Sequence, residues 1–219
     1  TLHLKKDAKE FAEDARVRHI IKTYSEHISF PVKLGEETLN AASAIWTRPA
    51  KDISAEQYTE FYRHTSHAFD EPWHVMHNRV EGTVNHTSLL FIPSTPPFDL
   101  FDGERKSHVK LYVNRVFISE TTKDLIPAYL RFLRGIVDSQ DLSLNVSREM
   151  LQTDPTLAKI KTSITKKVLS ELKKKATKAP EEYAVFWANF GAVLKEGLVE
   201  DAGLRDRILE VCRFASTQG

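Results

Sequence analysis

Asp138-Ser139-Gln140-Asp141-Leu142-Ser143-Leu144-Asn145-Val146-Ser147-Arg148-Glu149-Met150-Leu151-Gln152 is a long polar stretch that closes on Asp154-Pro155. An Asp followed by Pro is an N-cap with proline at the first helical position. Beyond it, Leu157, Ile160, Ile164, Val168, Leu169 and Leu172 recur at helical spacing and predict one long helix. Two more helices are predicted near 181–195 and 204–215. Before the stretch, alternating and helical patterns are mixed. The sequence therefore reads as an α/β part followed by an all-helical part, with a subdomain boundary at about residue 150.

On the amino-terminal side, Thr1-Leu2-His3-Leu4-Lys5 alternates like a strand already under way, and no initiator Met precedes it. We expect a piece of a longer protein. Residues 7–28 read as helix, 29–34 as a short strand and 36–48 as a polar loop or linker. Ser54-Ala55-Glu56-Gln57 fits a capping box, so a helix follows through Tyr58, Phe61 and Tyr62 to about His64. Val80–Ile92 is β-rich and ends at Pro93, and Pro93–Pro97 cannot continue a ladder. Val109, Leu111 and Val113 alternate, and Val116 and Ile118 resume after a bulge predicted at Asn114-Arg115. Leu125, Ile126, Tyr129, Leu130, Phe132, Leu133 and Ile136 predict an amphipathic helix over 125–137.

The composition removes several function classes. The 219 residues carry 31 Lys+Arg against 30 Asp+Glu, so no global field draws the chain to nucleic acid or an anionic membrane. Hydrophobic residues make up 41%, enough for a core. One cysteine, Cys212, excludes an internal disulfide framework and fits a reducing compartment. The glycines are never closer than six apart, which excludes a dinucleotide fingerprint and a P-loop. No apolar run is long enough to span a bilayer.

Four features could carry chemistry. His64, His67, His74, His77 and His86 contain His-x-x-His twice, but zinc needs three or four convergent ligands. The plainer reading is a solvated, titratable surface, and no metal is assigned. Eight lysines between 159 and 178 read either as a patch for an acidic partner or as a polar helix face offset by the acidic 181–210 segment. Base stacking has no platform there, because no aromatic residue occurs from 133 to 182. Phe69, Trp73, Phe98, Leu100 and Phe101 lie in Pro-flanked, turn-rich sequence and are either core or an exposed patch for a partner. Lastly, Arg148 in the polar stretch is either presented outward, where a guanidinium clamps phosphate oxygens, or paired with Asp138 or Asp141 as a staple. Physics alone leaves these two readings open.

The polar stretch resembles the catalytic loop in the middle segment of the heat shock protein 90 chaperones, in wording closest to bacterial members. Ile45-Trp46-Thr47-Arg48, Glu81-Gly82, Leu90-Phe91-Ile92-Pro93, Pro97-Phe98-Asp99-Leu100-Phe101 and Leu111-Tyr112-Val113-x-Arg115-Val116-Phe117-Ile118 match that family in order and spacing. The resemblance implies that 1–28 is the tail of an amino-terminal ATPase domain with a linker helix. It makes 29–150 an α/β sandwich of the ribosomal protein S5 domain 2-like type, and 151–219 an all-helical connector. It implies that Arg148 reaches the γ-phosphate of ATP held by the amino-terminal domain, that Gln152 helps to orient that region and that Asn145 supports the loop. It implies ATP and Mg in the full-length protein, none bound by this piece alone, and client proteins at Phe69, Trp73, Phe98, Leu100 and Phe101. A homodimer through a carboxy-terminal domain and a cytoplasmic location are implied too, with no nucleic acid or membrane partner. The rival is a non-catalytic interaction module with a basic helical face.

Overall fold

The computed structural model describes residues 3–120, 122, 124–142 and 154–217. A 3-10 turn at Lys6–Ala12 precedes helix α1 (Asp14–Tyr24). The chain is extended at Glu13, so the helix predicted over 7–28 is broken there. Residues 3–5 pair with no strand among the described residues. Strands β1 (Lys33–Leu34) and β2 (Glu37–Thr38) form a minimal hairpin around Gly35, whose φ is +61°. The predicted strand at 29–34 is thus confined to its last two residues.

Helix α2 (Ala55–Ser66) starts on the predicted capping box. Ser54 Oγ accepts from Gln57 N–H at 3.3 Å, and Gln57 Oε1 accepts from Ser54 N–H at 3.1 Å. Five strands follow: β3 (Pro72–Val80), β4 (His86–Pro93), β5 (His108–Val113), β6 (Val116–Ser119) and β7 (Arg134–Ser139). They form one sheet in the order β3-β4-β7-β5-β6, antiparallel except for the β5–β7 pair. The helical part is α3 (Pro155–Lys178), α4 (Pro180–Glu200) and the short α5 (Arg205–Leu209). Helix α3 is capped as predicted, with Asp154 Oδ1 accepting from Thr156 N–H at 2.7 Å.

Both faces of the sheet are covered, so the architecture is a three-layer α/β sandwich with helices on its carboxy-terminal side. Met76, Leu90, Ile92, Val109, Leu111 and Val137 point to the α3–α4 layer and share one core with Leu157, Ile164, Leu172, Phe186 and Phe190. The alternate residues Leu89, Phe91, Tyr112 and Ile136 point the other way, onto Trp46 and Tyr62. This is the period-2 alternation of a pleated strand feeding two cores at once.

Three predicted elements need correction. Residues 125–137 are not a helix: a 3-10 turn at Ala128–Leu130 leads into β7, a central strand. Every residue of β7 is buried, so its apolar run lacks the alternation that marks a half-exposed strand. Asn114-Arg115 is not a bulge. It is a two-residue hairpin turn closed by the Val113↔Val116 pair, with φ of +50° and +67°. The stretch 36–48 is not a free linker, because Trp46 is fully buried. The β-rich reading of Val80–Ile92 caught only the last residue of the edge strand β3, which opens on Pro72 as an edge strand tolerates.

Candidate functional site

Asn145, Arg148 and Gln152 lie outside the described residues. The chain on either side of them is firmly held. Leu142 is buried, and Asp154 caps α3. The site that leads into this segment is the end of the sheet where β7 finishes, beside the β3–β4 and β5–β6 turns.

Asp138 is the buried charge at that end. Its Oδ2 accepts from the Trp46 indole N–H at 2.8 Å, and its Oδ1 accepts from the Arg115 backbone N–H at 3.2 Å. Burial raises its pKa against the pull of those two donors. Trp46 is held in turn. Its carbonyl bonds His77 Nε2 at 2.9 Å, His77 Nδ1 bonds the Tyr58 hydroxyl at 2.8 Å, and the His27 ring packs edge-on against the indole at 4.7 Å. Asp141 accepts from the backbone and side-chain N–H groups of Asn85. Both acids suggested as staples for Arg148 are therefore bonded to other donors.

A polar cleft of about 530 Å³ opens here, lined by Arg79, Glu81, Asn85, Asn114, Arg115 and Gln140 among others. Arg79 Nε pairs with Glu81 at 2.9 Å. The Arg115 guanidinium makes no hydrogen bond or ion pair among the described residues. The cleft was missed from sequence because its walls come from three separate turns.

The histidines do not converge. His67 ends α2 in a left-handed conformation, His77 faces the α2 side of the sheet, and His74 faces the opposite side near Lys175 and Glu182. His86 is buried, and burial lowers its pKa. Among the described residues no group of three metal-ligating side chains forms.

The aromatic residues lie at the other end of the sheet, about 17 Å away along β7 at 3.3 Å per residue. Phe69 precedes β3, and Phe98 and Phe101 sit between β4 and β5. Phe69 and Phe98 are fully exposed and Phe101 is largely so. Leu100 is 2% exposed and belongs to the core, so it cannot be a contact residue on that surface. Trp73 is half-buried and stacks on Phe186, with ring centres 5.0 Å apart.

Polar groups, Arg131 among them fully buried, brace the backbone under these rings. Asp70 accepts from Tyr62 Oη at 2.8 Å and from Ser94 N and Oγ at 3.0 and 2.7 Å. Burial alone would raise the Asp70 pKa, but the Ser94 and Tyr62 donors outweigh it and hold the carboxyl low. Arg131 Nε donates to Leu100 O at 2.7 Å, and its other two nitrogens clamp Glu196 at 2.6 and 2.8 Å. Arg105 also reaches Glu196, and it bonds Glu200 at 2.6 Å.

Five of the eight α3 lysines are ion-paired: Lys161 with Asp124, Lys167 and Lys174 with Glu171, Lys173 with Glu210, and Lys175 with Glu182. The basic face is thus largely neutralised within the fold, which weakens the rival reading.

The sequence model of the family described as Hsp90 protein matches residues 35–219. The chain is 79% identical over 218 residues to Chaperone protein HtpG of Roseobacter denitrificans, a match covering all of this chain and 35% of that protein. It is 55% identical over 224 residues to Chaperone protein HtpG of Paramagnetospirillum magneticum, covering all of this chain and 36% of the relative. It is also 55% identical over 221 residues to the protein of the same name from Rickettsia rickettsii, covering 98% and 36%. The chain thus spans about a third of the length of the curated relatives it matches. With the loop-flanking site, the two-faced sheet and these matches together, the chain belongs to the heat shock protein 90 family and corresponds to a middle segment of HtpG.

Proposed function

We propose that this chain is the catalytic-loop and client-contacting segment of an ATP-driven chaperone. Arg148 meets the γ-phosphate of ATP held by an amino-terminal module, Gln152 helps to orient that region and Asn145 supports the loop. The phosphoryl group in flight carries charge over its equatorial oxygens, and a guanidinium delivered from a second module stabilises it only on closure. ATP and its Mg belong to that module, so this chain alone hydrolyses ATP negligibly. Phe69, Phe98 and Phe101 form the exposed apolar part of a client surface, with Trp73 at its margin. Cytoplasmic location and dimerisation through a carboxy-terminal domain complete the reading.

Family membership over 35–219 carries this proposal. The anchored residues on both sides of 143–153 support it, because Leu142 and Asp154 are held at the two ends of the segment bearing Arg148. The test is a full-length chimera in which this chain replaces the matching segment of the Roseobacter denitrificans protein. Arg148→Ala there lowers ATP turnover by about 10²-fold or more with little change in nucleotide affinity, against the roughly 10³–10⁵ that supplied arginines contribute. Unchanged turnover removes the role given to Arg148.

A further inference from the structure

Every polar group of Asn85 is engaged at the exit of β7. Ladder pairing of β7 ends at Ser139, which faces His86 on one side and Val113 on the other. Past that point the chain is tied to Asn85, in the β3–β4 turn. The Asn85 carbonyl accepts from Gln140 N–H at 3.4 Å and from the Ser139 hydroxyl at 3.3 Å. Its backbone N–H donates to Asp141 Oδ2, and its side-chain N–H donates to Asp141 Oδ1 at 3.4 Å. Its Oδ1 accepts from Gly82 N–H at 3.1 Å and so closes the turn on itself. Ser139 Oγ completes the set by accepting from Asp141 N–H at 3.3 Å. A side-chain amide suits this place, because it accepts from one group and donates to another without adding charge beside Asp141.

We propose that Asn85 is a positioning residue for ATP turnover: it fixes the point and direction in which the chain leaves β7 toward the segment bearing Arg148. The proposal rests on the two-module reading above. Asn85 acts through residues 139–141, which stand directly before the buried Leu142. A supplied arginine works only within a narrow geometry, and a displacement on the order of 1 Å from a distant change costs about 10²-fold. The bonds of Asn85 to Gly82 and Asp141 lie at the surface, so losing them moves global stability little. Placement and stability can therefore be separated by experiment.

The test uses Asn85→Asp, Asp141→Asn and the two together, in the chimera and in this chain alone. Asn85→Asp keeps the acceptor for Gly82 N–H but sets two carboxylates face to face. Adding Asp141→Asn restores a donor–acceptor pair with the side-chain roles exchanged. In the chimera Asn85→Asp lowers kcat about tenfold with KM for ATP unchanged, and the double variant returns kcat to within about twofold of the wild type. In the chain alone the unfolding midpoint of Asn85→Asp stays within about 3 °C of the wild type. Its amide exchange quickens at 139–141 and not in the interior of β4, and the double variant reverses this. Wild-type kcat in Asn85→Asp overturns the proposal, as does a rise in KM in place of the fall in kcat. So does a fall in kcat that follows the midpoint down, or a double variant no better than the combined single changes. Arg148→Ala is measured in parallel. Normal turnover there removes the catalytic reading alone, because the kcat and exchange results for Asn85 are read without it. Normal kcat in Asn85→Asp beside a loss in Arg148→Ala removes the Asn85 proposal alone.

Discussion

Gly135 is the residue on which the central strand depends. Its φ is +118°, and a Cβ built on it would lie 2.1 Å from the Leu89 carbonyl oxygen of the neighbouring strand. That contact is with backbone, so no side chain can move aside. Gly135→Ala destabilises the fold by about 3 kcal/mol or more, combining positive-φ strain with overpacking. Chemical denaturation measures it, and a loss below about 1 kcal/mol would contradict the geometry. Histidines taken wholly or partly out of water set the acid limit of stability. Burial lowers the pKa of His27 and His86 below the usual 6.5. Such a base binds its proton more readily in the unfolded chain, so stability rises with pH up to about that value and falls on acidification below it. Asp138, raised by burial, works in the opposite sense near the carboxylate range. The unfolding midpoint therefore drops between about pH 7.5 and about pH 5.5, and His86→Gln reduces the drop. A flat profile over that interval would remove the neutral histidines from the account.

At the level of elements, α3 and β7 show what a sequence pattern reveals. Helix α3 has one buried face, a capping Asp and a Pro at its start, and each is a local signal. Strand β7 is buried on both faces and follows a run of buried apolar residues, so the Leu and Ile positions of 125–137 also satisfy a helical period. Only the sheet that surrounds it decides in favour of strand, and Gly135 was the one hint of close backbone approach. The site divides in the same way. The Asn145, Arg148 and Gln152 spacing was legible as a motif, whereas the Trp46–Asp138 bond joins residues 92 apart and has no local trace. The loop bearing Phe98 and Phe101 is held to helix α4 through Arg131 and Glu196. Glu196→Ala leaves the buried Arg131 without its carboxylate and costs about 2 kcal/mol, less than a fully buried pair because Glu196 is partly exposed. Hydrogen exchange at the Leu100, Asp102 and Arg105 amides, which bond within this loop, should speed up before exchange in β4 or β7 changes. Unaltered exchange at those amides would mean that α4 does not hold the loop.

On the scale of the whole molecule, one sheet separates two surfaces. One end carries exposed phenylalanines, and the other carries the bonded frame from which the Arg148 segment departs. The helical layer packs under both through a shared core. On the proposed reading, a chain of this design completes another module's reaction instead of running its own. The direct measurement is ATP turnover by the separately made amino-terminal module of the Roseobacter denitrificans protein, with and without this chain added in trans. The account predicts that the wild-type chain raises turnover and that the Arg148→Ala chain does not. Equal stimulation by both chains would contradict it.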